Sequence, residues 1–137
     1  MKNTKILMIL SSLFMGAIGG LFEFFPHEVL TSLQATSEGP MPLIVQISGA
    51  LYLGFAVTNW MAKGSLIGGI YSRPLAIGNF LHFLVGALAL TKFSLSSSSS
   101  TPIWLLTFVY MMFAVFFGYL FLNNPVKRIV TNEHSTS

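Results

Sequence analysis

The chain has no cysteine, so disulfides, thiolate nucleophiles and thiolate metal sites are excluded. It has no aspartate either. Charged residues make up 8% of its 137 residues, against roughly 25% in an ordinary soluble domain. No basic cluster accompanies the net charge of +3, so the sequence carries no nucleic-acid signature. Gly64, Gly68 and Gly69 match neither phosphate-loop pattern and read as turn residues. No internal repeat is present, which removes support for an inverted-repeat transporter.

What the chain does have is apolar sequence, 53% of its residues. A domain this small could not hide so much apolar surface from water. Four apolar stretches alternate with short polar joints, at about Ile6 to Phe25, Leu43 to Ala62, Leu75 to Thr91 and Ile103 to Leu122. Each is long enough, or nearly so, to cross a bilayer. If all four cross, Lys2, Lys5, Lys63, Arg73, Lys127 and Arg128 share one face and Lys92 falls on the other. Cytoplasmic loops carry an excess of Lys and Arg. The expectation is an all-α integral membrane four-helix bundle with both termini cytoplasmic. Residues 1–125 would form one transmembrane domain, and residues 126–137 a polar tail. The basic start of the chain and Ala17-Ile18-Gly19 also suit a signal peptide, but the apolar run continues to Phe22, which favours a retained helix.

The joints carry their own signals. Pro26 ends or kinks the first span. Pro42, Pro74 and Pro102 sit where the following spans begin, and a proline in the first helical turn forfeits no hydrogen bond. Thr101 is the expected N-cap of the last span. Val29, Leu30 and Leu33 are spaced for one face of a short helix lying at the outer interface. Ser94 to Thr101 reads as a serine linker.

Each span shows small or polar residues at helical spacing. These are Ser12, Gly16 and Gly20 with Gly19 and Glu23; Gln46, Ala50, Gly54, Thr58 and Ala62; Gly78, His82 and Gly86 with Asn79; and Tyr110, Ala114 and Gly118 with Thr107. Helices in lipid associate through small residues and polar contacts, so these stripes read first as packing seams. A second reading makes them a pocket. At ~1.5 Å per residue, Glu23, Gln46 and Thr107 fall near the outer surface. Tyr52, His82 and Tyr110 fall near the middle, and Asn59 and Asn79 near the cytoplasmic side.

The candidate ligand-binding residues are therefore His82, Tyr52, Tyr110, Asn79, Glu23 and Gln46. A neutral imidazole at mid-membrane needs a polar partner. Glu23 reads as a solvated span-end carboxylate, or as one paired with His27 or Gln46. Glu23, His27 and Glu28 carry metal-ligating atoms, but Pro26 disturbs their spacing, so no metal is expected. Bis-histidine haem would need a second mid-membrane histidine, and no cofactor is expected. A hydrolytic triad fails because Ser11, Ser12 and Ser48 have no histidine and acid at matching depth.

Four spans, a long first joint, the small-residue second span Gly49-Ala50-Leu51-Tyr52-Leu53-Gly54 and a third span entered by a short turn resemble the small DoxX-like bacterial membrane proteins. That resemblance implies a membrane bundle and no particular activity. Small multidrug transporters also have four spans and depend on a glutamate in the first. Here Glu23 stands at the span end, and the one-sided charge departs from the two-way insertion common in that family.

The expected function is a non-enzymatic structural or accessory component of a membrane assembly. Its partners would be the lipid bilayer and either further copies of itself or a larger membrane complex. The alternative is a binder or transporter of a small lipophilic molecule at the seam around His82. A membrane enzyme acting on a lipid or quinone is a third class.

Overall fold

The computed structural model describes residues 2–64, 72–96 and 101–122. It contains five helices: α1 (Lys2–Phe24), α2 (Pro26–Ser32), α3 (Met41–Ala62), α4 (Ser72–Ser96) and α5 (Thr101–Leu122). No strand occurs among the described residues. Four helices hold apolar segments long enough to cross a bilayer: Thr4–Phe24, Met41–Ala62, Arg73–Ser96 and Thr101–Leu122. The polar tail lies outside the described residues.

Prolines punctuate the chain as their chemistry requires. Phe25 leaves the helical region at φ −131°, and Pro26 then opens α2 at its first position. Pro42 is the second residue of α3 and Pro102 the second of α5. Thr101 is itself the first residue of α5, one place inside the expected cap. α4 runs five residues beyond the expected end at Thr91 and takes in the first serines of the expected linker. The reason is visible in the hydroxyls. Thr91 donates to the Ala87 carbonyl at 2.7 Å, and Ser96 to the Lys92 carbonyl at 3.0 Å, so each lies along the helix instead of breaking it.

α2 ends in a Schellman motif. The Ala35 N–H donates to the Leu30 carbonyl at 2.9 Å, and the Gln34 N–H to the Thr31 carbonyl at 3.0 Å. Gln34 holds the left-handed position at φ 55°, where glycine is usual. Leu30 of α2 is buried.

The chain divides into two compact units, Met1–Gly64 and Ser65–Ser137. In the first, α1 and α3 pack as an antiparallel pair and α2 packs against both. Ser12 meets Ala56 while Gln46 meets Glu23, which fixes the direction. A Cβ built on Gly19 would lie 2.9 Å from the Gly49 carbonyl oxygen, and one on Gly49 would lie 2.9 Å from the Glu23 nitrogen. The two backbones touch there, and no side chain fits between them.

The seam of α3 runs through Gln46, Gly49, Leu53, Ala56 and Asn59. This corrects the stripe read from the sequence. Ala50, Gly54 and Thr58 are exposed, and a Cβ on Gly54 meets nothing within 4 Å. Gly20 on α1 is likewise open, and its neighbour Gly19 carries the contact. The expected rows stepped by four. The observed one steps by three, four, three and three, mixing the two spacings that lie along one helical face.

In the second unit α4 packs against α5. Phe83 is fully buried and stacks on Phe113, with centroids 4.7 Å apart, and on Phe117 at 5.7 Å. Ala76, Ala87 and Ala114 are buried with them. Gly118 makes room for Phe80, whose ring would lie 2.9 Å from an added Cβ.

Candidate functional site

Buried polar groups mark the positions where this apolar chain departs from simple packing. In the first unit the central one is Asn59, which is fully buried. Its Nδ2 donates to the Ser11 hydroxyl at 3.1 Å and approaches the Met15 sulfur at 3.7 Å. Ser11 in turn donates to the Met8 carbonyl at 3.1 Å. Ser12, one residue on, reaches across the seam to the Ala56 carbonyl at 2.7 Å. A polar group without a partner in an apolar interior costs roughly 1–3 kcal/mol by mutational data. The chain avoids that cost by facing these groups toward each other.

Glu23 and Gln46 do come together, but not as carboxylate and amide. Gln46 Nε2 donates to the main-chain carbonyl of Glu23 at 3.3 Å. That carbonyl is one of the last four of α1, which have no partner within their own helix. Gln46 therefore acts as a C-terminal cap supplied by the neighbouring helix. Glu23 is half-buried and His27 is exposed. Glu23, His27 and Glu28 form no metal-sized group among the described residues. Tyr52 packs edge-on against Phe22, with ring centroids 5.7 Å apart.

In the second unit His82 and Tyr110 meet. Their ring centroids are 5.8 Å apart with planes inclined at 39°. Tyr110 is buried, and its ring also stands edge-on to Phe83 at 5.3 Å. His82 is half-buried. Gly86, one turn beyond His82, makes the pairing feasible. An added Cβ there would stand 2.5 Å from Tyr110 Cε1, so the tyrosine ring lies directly on the glycine. Asn79 is fully buried, and its Nδ2 donates to the Leu75 carbonyl one turn back. Thr107 is buried and bonds the Ile103 carbonyl at 2.8 Å in the same way.

The six candidates therefore separate by unit: Glu23, Gln46 and Tyr52 in the first, Asn79, His82 and Tyr110 in the second. The first group caps and packs a helix pair. The second brings an imidazole and a phenol onto one aromatic cluster. The sequence reading passed over Ser11 and Met15 as partners of Asn59. The available signal was depth, since all three fall in the part of their spans nearest the basic ends.

Five of the described hydroxyls in the long helices share one habit. Ser48, Thr58, Thr91, Thr107 and Ser96 each donate to a carbonyl of their own helix, four residues back. Each polar group is thus satisfied without solvent. Family models, curated proteins and solved structures were all compared with the chain, and none matches it.

Proposed function

We propose that the chain is an integral membrane protein crossing the bilayer four times, with both termini cytoplasmic, and that it serves as a non-enzymatic structural or accessory component of a membrane assembly. One observation carries the reading: polarity is distributed inside out. Leu13, Val57, Val85 and Phe108 are 59%, 59%, 60% and 68% exposed, whereas Ser11, Asn59 and Asn79 are 0% exposed. Water would penalise that arrangement by roughly 25 cal/mol for each Å² of apolar surface left wet. Lipid does not. The back-bonded hydroxyls support the same medium, since no water is present there to satisfy them.

Orientation follows from the cations, six of which share one face when the four segments alternate. Cysteines introduced at Ser97 and Ser135 should label from opposite sides of intact cells, with Ser97 outside. Labelling of both from one side would end the four-crossing reading. The accessory role agrees with the resemblance to the small DoxX-like proteins, which implies a membrane bundle and no particular activity. Partners would be lipid and either further copies or a larger membrane complex. Purification in native lipid followed by mass spectrometry of co-eluting chains tests this. A monomer with no constant companion would exclude it.

The paired rings of His82 and Tyr110 favour one second reading, a binder or transporter of a small lipophilic molecule. On that reading His82→Leu releases a co-purifying lipophile while the melting temperature stays near the parent's. Retention of the same molecule by the variant would rule it out.

A further inference from the structure

The two ends of the α1–α3 pair differ sharply in charge. Ser11 faces Asn59 and Ser12 faces Ala56, so the start of α1, with Lys5, lies beside the end of α3, with Trp60 and Lys63. Every acid of residues 1–64 belongs to the other end: Glu23 closes α1, Glu28 lies on α2 and Glu38 precedes α3. Among residues 2–64, therefore, no carboxylate lies at the end that carries these cations.

Trp60 and Lys63 are three residues apart on one helical face. The Lys63 ammonium lies 3.1 Å from the centroid of the Trp60 ring, well within cation–π range. The indole holds the ammonium at the helix end while itself remaining 47% exposed. An ammonium so held keeps hydrogen-bond donors for an outside acceptor. The exposed indole can lie along the upper acyl chain and glycerol region, as tryptophans at membrane boundaries do. Lys5, which is exposed, adds a second cation at the same end.

From this juxtaposition we infer that Trp60, Lys63 and Lys5 form a binding point for the phosphate of an anionic phospholipid in the cytoplasmic leaflet, an inference that rests on the membrane reading above. Lys63 supplies the oriented charge, Lys5 the second charge and Trp60 the apolar wall. A zwitterionic headgroup offers the same phosphate but brings its own cation against Lys63, so the site discriminates by net charge. Each cation near such a surface contributes about a five-fold preference.

The test uses the full chain carrying Trp104→Phe, so that Trp60 is the one indole. It is reconstituted in phosphatidylcholine vesicles containing graded amounts of brominated phosphatidylglycerol or, in parallel, brominated phosphatidylcholine. Trp60 fluorescence should be half quenched at a phosphatidylglycerol fraction at least about five-fold lower than the phosphatidylcholine fraction. Lys63→Gln should remove most of that preference, Lys5→Gln part of it, and Lys63→Arg little. Equal half-quenching fractions in the parent would overturn the inference, as would a preference that Lys63→Gln leaves intact. Inorganic phosphate at constant ionic strength should leave the preference unchanged. If phosphate abolishes it, the site takes free phosphate and the lipid assignment is wrong. Failure of either brominated lipid to quench Trp60, with protein that does not float with vesicles, would sink the membrane reading itself. Equal quenching by both sinks only the lipid preference.

Discussion

Asn59 on α3 donates to the hydroxyl of Ser11 on α1 across 3.1 Å, and both side chains are fully buried. The bond ties the register of the two helices at the end opposite Gln46 and Glu23. A slip of one residue would break it and expose both groups to an apolar wall.

Asn59→Leu should therefore destabilise the protein by about 1–3 kcal/mol, because Ser11 and its surroundings were built around an amide. Ser11→Ala should cost less, since Asn59 keeps the Met15 sulfur as a neighbour. The double variant should be less harmful than the two losses added, by about 0.5 kcal/mol or more. Thermal unfolding in a mild detergent measures all three. Strict additivity would mean that the bond contributes nothing.

Gly19 and Gly20 offer a sharper contrast, being adjacent in sequence but different in space. Gly19→Ala would place its methyl 2.9 Å from backbone atoms of α3, which cannot yield cheaply. A loss of about 1–3 kcal/mol is expected. Gly20→Ala meets nothing within 4 Å and should be neutral or gain up to about 1 kcal/mol from helix propensity. Equal melting temperatures for the two variants would place the seam elsewhere.

Gly86→Ala tests the second unit. Its methyl would press on the Tyr110 ring and push it from both Phe83 and His82. Near-ultraviolet circular dichroism should lose intensity while the far-ultraviolet helical signal stays. An unchanged aromatic spectrum would mean that the ring does not rest on residue 86.

Gln34 occupies a left-handed turn position that strains any residue with a Cβ. Gln34→Gly should stabilise by about 0.5–1 kcal/mol, and Gln34→Val should destabilise by more. A glycine variant that melts lower than the parent would show that the side chain makes a contact outweighing the strain.

The helices themselves were legible because the apolar runs are long and the prolines fall where helices start and stop. The short helix at Pro26–Ser32 was legible too, from the spacing of Val29, Leu30 and Leu33. The seams were legible on α5, where Thr107, Tyr110 and Ala114 are indeed buried. They were misread on α3, and the cause is physical. Nearly every row of α3 contains a small or polar residue, so composition cannot say which row faces α1. The answer depends on which row of α1 meets it, and that contact is made 23 to 48 residues away in the chain, as between Glu23 and Gln46 and between Ser11 and Asn59. His82 and Tyr110 could be matched by depth, but the space that lets them meet comes from Gly86. Depth did not reveal the Gln46 contact with a carbonyl, because a backbone group leaves no mark in the sequence.

The pairing of α1 with α3 has a consequence for how the protein is made. Everything that satisfies Ser12 and the amides of Gln46 and Asn59 within this pair lies before residue 65. The ribosome finishes that segment while the rest of the chain is still unwritten. A nascent hairpin leaving the insertion machinery can thus bury these groups at once, without waiting for helices yet to be translated. The order of synthesis and the order in which polar atoms find their partners coincide, and the half-made protein presents fewer unanswered donors to quality control.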